Sequence, residues 1–246
     1  MKFFSPPYTS AAQFEDHLRE LGHAVMAPES LQQWTGCGAP ELAALAPFWQ
    51  DLPLDNHLRD GGRYRFRRHG SFIADANAQT PLQMMPHRAH WQPLDYNALH
   101  GGIERWFQPL APELLTLPAW TQLLLSLASA ASRLKGEQPW FIEAHQFRID
   151  TTDGIGRPTP EGAHRDGVDF VAVFLVSREG IKGGESRVFE ADGPRGQRFT
   201  MTEPWTLLML DDERVIHETT PIQPQGEHGH RDTLVITLRR QGFLNP

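Results

Sequence analysis

Pro160-Glu161-Gly162-Ala163-His164-Arg165-Asp166 is the stretch on which the reading of this chain turns. It sets a histidine and a carboxylate two residues apart, directly before the apolar run Val168 to Val176. Side chains alternate faces along an extended strand, so His164 and Asp166 should project together from a strand spanning His164 to Val176, with Arg165 opposite. That supplies two members of a facial 2-His-1-carboxylate triad, an arrangement that holds iron and leaves coordination positions open. The third member is His217, 51 residues past Asp166, inside the strand-like run Arg214 to Thr219. Fourteen residues further, Arg231-Asp232-Thr233 opens another strand-like run. Arg231 and Thr233 share a face there, a guanidinium and a hydroxyl set to grip one carboxylate. Duller readings exist for each residue: a turn for His164 and Asp166, a core histidine for His217, a strand-end ion pair to Asp232 or Glu227 for Arg231. None of them accounts for the set.

Around this motif the chain after Pro139 alternates strand-like runs with turns. Strands are expected at Trp140 to Ile149, Glu185 to Glu190, Trp205 to Leu210, Val215 to Thr219 and Arg231 to Arg240, besides the one carrying the motif. Gly154, Gly156, Pro158, Gly183-Gly184, Gly193-Pro194 and the Pro221 to Gly229 segment mark the turns. Many short punctuated strands suggest a barrel or jelly roll. Asp211-Asp212 reads as ordering the turn before His217 through local backbone bonds. His228-Gly229-His230 reads as a solvated loop, and Gly183-Gly184 as a hairpin bend rather than a phosphate cradle.

Several words of this region, taken with their spacing, resemble the iron(II)- and 2-oxoglutarate-dependent oxygenases. They are His145-Gln146-Phe147-Arg148, Pro160 to Phe170, Gly183-Gly184-Glu185-Ser186, Leu210-Asp211-Asp212 through His217, and Arg231 to Thr237. They look most like the branch with the bacterial L-isoleucine and related free amino-acid hydroxylases. The likeness is dense over residues 140–240 and thin before them. It implies a mainly β fold with N-terminal helices (α+β) and a double-stranded β-helix, or jelly-roll, core. It implies Fe(II) on His164, Asp166 and His217, with 2-oxoglutarate and O2 as cosubstrates and ascorbate as reductant. Arg231 and Thr233 would hold the distal carboxylate of 2-oxoglutarate, and no catalytic residue is expected beyond the metal ligands. The implied reaction is hydroxylation or sulfoxidation of a free L-amino acid. Such a zwitterion needs a cation and an acceptor; Gln146, Arg148, Glu161 and Asp169 are the candidates, with Arg65 and Arg67 as further cations. Three rivals remain: an oxygenase of another small molecule, a zinc hydrolase using the same ligands, and a non-catalytic jelly-roll binding protein. The hydrolase leaves Arg231 and Thr233 unexplained, and the binding protein needs no iron.

Before Pro139 the pattern is mixed. Ala11, Phe14, Leu18 and Leu21 recur at helical spacing, with Ser10 to begin and Gly22 to stop a helix. Pro40 to Trp49 reads as a second helix and Pro118 to Leu134 as the longest. Arg63 to Arg68 alternates basic and aromatic residues; it reads as an edge strand whose arginines meet solvent or acidic neighbours, with one of them able to reach a pocket instead. Gln79 to Leu99 reads as an irregular covering loop with His87 and His90 solvated. One domain is expected over 1–246, with a helical and mixed part at 1–138 packed on a core at 139–246. A net charge of −7 offers no attraction to nucleic acid or to an anionic membrane surface. The single cysteine, Cys37, reads as inert, excludes an internal disulfide and, without a signal-like start, suits the cytoplasm. A small molecule is therefore the expected partner, and nothing in the sequence indicates an oligomeric state.

Overall fold

Phe170-Val171-Ala172-Val173-Phe174-Leu175-Val176 is apolar at every position, which a strand sustains only when both of its faces are covered. The computed structural model describes residues 4–96, 99 and 101–245. Its elements begin with β1 (Tyr8–Thr9), α1 (Phe14–Leu21), β2 (His23–Met26), α2 (Pro28–Thr35) and α3 (Ala39–Ala43). Then come β3 (Arg65–Ala74), β4 (Leu82–Met84), α4 (Pro112–Leu115), α5 (Pro118–Lys135), β5 (Trp140–Asp150) and β6 (Phe170–Glu179). Seven strands close the chain: β7 (Ile181–Gly183), β8 (Ser186–Glu190), β9 (Gly196–Phe199), β10 (Leu207–Asp211), β11 (Val215–Thr219), β12 (Ile222–Pro224) and β13 (His230–Arg239). Among the described residues eight strands form one sheet in the order β1-β2-β10-β6-β13-β5-β3-β4, and a smaller sheet runs β11-β8-β9. The remaining two, β12 and β7, pair with each other.

The large sheet separates two cores, and the period-2 alternation of its strands assigns each residue to one of them. Phe170, Ala172, Phe174 and Val176 of β6 pack with Trp120, Leu124 and Leu127 of α5. Val171 and Leu175 turn the other way and meet Val188, Phe199 and Val215 of the smaller sheet. β13 repeats the scheme: Leu234, Ile236 and Leu238 join the helical side, while Arg231, Thr233, Val235 and Thr237 line a cavity on the other. The fold is mainly β with few helices and has a jelly-roll core. No helix among the described residues is long and apolar enough to cross a membrane.

Helix boundaries follow the local chemistry. α1 ends at Gly22, whose φ of 74° is open to glycine. The helix expected over Pro40 to Trp49 splits into α3 and a short 3-10 turn at Ala46–Trp49, because Pro47 has no amide to continue the ladder. The part before residue 139 also supplies β1 to β4 of the large sheet. The expected edge strand at Arg63 to Arg68 is corrected: β3 lies beside β5 along its whole length, and its other side meets Leu54, Pro109 and β4. Arg65 and Arg67 are buried.

Leu124 is fully buried between α5 and the sheet. Leu124→Ala is expected to lower unfolding free energy by about 2–5 kcal/mol. Urea unfolding measures this, and an unchanged midpoint would mean that α5 does not carry the helical core.

Candidate metal centre

The two ligands of the His-x-Asp motif are brought together by a loop. Contrary to the expected strand, β6 starts at Phe170, and His164 and Asp166 precede it. His164 forms a single antiparallel bridge with His217 of β11, its amide and carbonyl bonded to those of His217 at 3.0 and 2.9 Å. The chain then turns through Gly167, at φ 75°. Asp212 lies within this turn and accepts the amides of Asp166, Gly167 and Val168 at 3.0, 2.8 and 3.1 Å. Asp211 does the local work before His217, accepting the Glu213 amide at 3.3 Å.

The result is a compact triad. The ligand atoms of His164, Asp166 and His217 lie within 4.8 Å of one another. The imidazole Nε2 atoms stand 3.9 Å (His164) and 3.7 Å (His217) from the Asp166 carboxylate. His164 Nδ1 donates to the Gly162 carbonyl at 2.8 Å, which fixes the tautomer and leaves the Nε2 lone pair for a metal. Gln92 Nε2 donates to Asp166 Oδ1 at 3.1 Å, and Arg105 orients that amide by donating to Gln92 Oε1 at 2.8 Å. Burial, reinforced by His164, pushes His217 down to about 4. Burial also works against a charged His164, but Asp166 and Glu161 raise it overall. Burial together with the Asp166 charge pushes Asp212 up to about 7. Such crowded negative charge suits a divalent cation.

A second group, His69, His90, Glu143 and His145, also has its ligand atoms within 4.8 Å of one another and is fully buried. Its contacts favour a cationic guanidinium over a metal ion. Arg67 Nη2 lies 2.7 Å from His145 Nδ1, and a guanidinium only donates, so that nitrogen is an acceptor already in use. Glu143 Oε1 takes His69 Nε2 at 3.0 Å and His90 Nδ1 at 3.3 Å, with Arg88 at 3.9 Å. A dication here would face two guanidinium groups. Of the two groups, the triad is the better candidate for a divalent metal.

Both groups border one cavity, whose floor is laid out by strand register. Arg65, Ile149 and Arg231 form one row across β3, β5 and β13; Arg67, Phe147 and Thr233 form the next; His69, His145 and Val235 the third. Arg231 is buried, and its Nε and Nη2 have no hydrogen-bond partner among the described residues. Burial, with Arg178 alongside, holds its guanidinium down to about 10. A buried cation with idle donors beside a hydroxyl, lining the same cavity as the triad, fits the distal carboxylate of 2-oxoglutarate.

Of the four substrate candidates, Glu161 alone lines the cavity; its Oε2 is buried without a partner, and its Oε1 is 3.5 Å from His164 Nε2. Gln146 and Arg148 share a face, but it is the helical one. Gln146 bonds the Phe48 carbonyl and Arg148 pairs with Asp232 at 2.7 Å. Asp169 is bound to Arg240 and Lys135 away from the cavity. His90, expected in solvent, is buried at the cavity wall, whereas His87 is exposed. His230 begins β13 and contacts Ser177. The sequence reading also missed Gln92, Arg105, Glu143 and His145. For Glu143 and His145 the signal was present: polar residues at alternate positions of the otherwise apolar run Trp140 to His145.

Comparison with known proteins agrees with this geometry. The model of a family described as 2OG-Fe dioxygenase matches residues 46–237. A BsmA homologue from Methylobium petroleophilum PM1 is 49% identical, with a TM-score of 0.92 over 100% of this chain and 99% of that one. IDO from Bacillus thuringiensis is 16% identical, with a TM-score of 0.76 over 94% of this chain and 100% of the other. The Fe(II)/α-ketoglutarate-dependent dioxygenase TqaL is 17% identical, with a TM-score of 0.72 over 94% and 87%; these two show the fold. A search of curated protein sequences gave no match.

Asp212→Ala removes the acceptor of three amides while leaving all three ligands in place. Affinity for Mn(II), as an air-stable substitute for iron, is expected to fall roughly 10- to 100-fold. Calorimetric titration measures it, and wild-type affinity would show that the 166–168 loop is held by other means.

Proposed function

This chain belongs to the 2OG-Fe dioxygenase family, and we propose that it hydroxylates or sulfoxidises the side chain of a free L-amino acid. The observation that carries the proposal is the charge pattern of the cavity beyond the Arg231 wall. Arg65, Arg67 and Arg105 there accompany Glu143 and Glu161, so both ends of a zwitterion have an oppositely charged group to meet. An unpaired buried charge is costly, which favours a ligand carrying both signs. Phe147, Val168, Val173 and Val235 supply apolar wall for an aliphatic or sulfur-containing side chain.

His164, Asp166 and His217 would hold the iron, and Arg231 and Thr233 would hold the distal carboxylate of 2-oxoglutarate. When bound, the iron supplies the oxidative chemistry that converts 2-oxoglutarate and O2 to succinate and CO2 while one oxygen atom passes to the substrate. The protein contributes orientation, and its buried walls exclude water. Ascorbate would keep the metal reduced. We place the enzyme in the cytoplasm, acting on a small molecule rather than on nucleic acid or a membrane. A zinc hydrolase would have no use for a buried Arg231 with idle donors, and a binding protein would have none for the triad.

Two outcomes test this. A screen of aliphatic and sulfur-containing L-amino acids with Fe(II), ascorbate and 2-oxoglutarate is expected to yield a +16 Da product with one succinate per turnover; succinate release without any oxidised amino acid would remove the substrate assignment. Arg231→Lys keeps the charge but loses the fork. Its KM for 2-oxoglutarate is expected to rise roughly ten- to over a hundredfold, with a smaller change for the amino acid. Equal changes for both would make Arg231 a structural residue.

A further inference from the structure

The cavity wall at β3 and the neighbouring Arg105 carries guanidinium donors that the protein leaves without acceptors. Arg65 and Arg67 share one carboxylate, Asp55, at 2.7 and 3.9 Å. Arg105 is buried and forms no ion pair among the described residues; its Nη2 is spent on Gln92, and its Nε has no partner. The Nε of Arg67 is likewise buried without an acceptor. Glu143 is committed through Oε1 to His69 and His90. Burial pushes His69, His90 and His145 all downward, so the imidazoles add no charge. Three guanidinium groups therefore stand among Asp55, Glu143 and Glu161, yet the buried Nε donors of Arg67 and Arg105 have no acceptor. A buried donor without an acceptor is expensive, and such a strip suits an anion.

The geometry says where the anion sits. Arg67 lies flat between two rings, its guanidinium carbon 3.7 Å from the Phe107 centroid and 4.3 Å from that of Phe147. Stacking of this kind fixes the plane and leaves the donor edge for recognition. Arg67 is two strands from Thr233, with Phe147 between them. At ~4.8 Å per strand their backbones stand ~10 Å apart. The unpartnered donors of Arg67 and of Arg231 thus start from opposite sides of the floor.

We propose that Arg67 and Arg105 are the receptor for the α-carboxylate of the substrate, separate from the Arg231 and Thr233 receptor for 2-oxoglutarate. The assignment rests on the free-amino-acid reading and deepens it. It also orients the substrate, because Arg105 is joined through Gln92 to Asp166. The carboxylate end lies toward the β3 side of the cavity, and the side chain extends from there to the metal.

The test uses enzyme loaded with Mn(II) and 2-oxoglutarate and titrated calorimetrically with L-leucine, L-isoleucine and L-methionine, their α-amides and their N-acetyl derivatives. Wild type is expected to prefer acid over amide. Arg105→Met should weaken the best-bound acid roughly ten- to a hundredfold while leaving its amide within about twofold. Arg67→Met, on a different element, should give the same selective loss. For Arg67→Met, which leaves the Gln92–Asp166 bond and Arg231 untouched, the affinity for 2-oxoglutarate should stay unchanged. Amides that bind wild type as tightly as the acids, or variants that lose acid and amide by the same factor, overturn the subsite. N-acetyl derivatives that bind as tightly as free amino acids overturn the free-amino-acid reading and leave the carboxylate subsite standing.

Discussion

Three backbone amides donating to the Asp212 carboxylate hold the metal centre together. Residues 166–168 have no strand partner among the described residues, so the amides of Asp166, Gly167 and Val168 would otherwise need water in a largely buried place. One carboxylate satisfies all three. It thereby fixes the angle between Asp166 and the His164–His217 bridge, and so the shape of the triad. Gly167 is part of the same device. Its φ is positive, and a Cβ there would lie 2.4 Å from the Tyr96 ring, so the turn closes under an aromatic lid only with glycine.

Electrostatics divides the cavity into regions with different tasks. Around the triad the charge is negative, and no lysine or arginine among the described residues forms an ion pair with Asp166. Across the floor the arginines predominate, and the histidines between them are held uncharged by burial. This explains how two clusters rich in histidine and carboxylate, bordering one cavity, come to differ. The one bordered by guanidinium groups repels a dication, and one nitrogen of each of its imidazoles already bonds Arg67 or Glu143; the other presents an oriented lone pair and an open carboxylate oxygen.

The jelly-roll core and the triad were legible because both depend on short-range pattern. Apolar runs with glycine and proline punctuation placed β5 and β13 to within one residue and β11 without error, but started the β6 strand six residues early and ended the β3 strand six residues early. His164, Asp166 and His217 stood out through residue type and spacing, although the same-face argument for the pair rested on a strand where the chain forms a clamped loop. What was not legible depends on long-range partners. Whether Arg65 and Arg67 face solvent or a cavity is decided by β5 and by Phe107, far away in sequence. Gln146 and Arg148 do share a face, yet their face is set by α5 and the segment near Phe48, which no local period announces. The short strands β1, β4, β7 and β12 have too few residues to show alternation at all. His90 read as solvated because its loop lacks periodicity, and only folding shows that Glu143 buries it.

The most direct test of the central claim is a crystal structure with Mn(II) and 2-oxoglutarate bound, the metal located by its anomalous scattering. The account predicts one manganese between His164 Nε2, His217 Nε2 and the Asp166 carboxylate, with the distal carboxylate of 2-oxoglutarate against Arg231 and Thr233. Manganese held instead by His69, His90, Glu143 and His145, or an Arg231 that contacts no carboxylate, would contradict it.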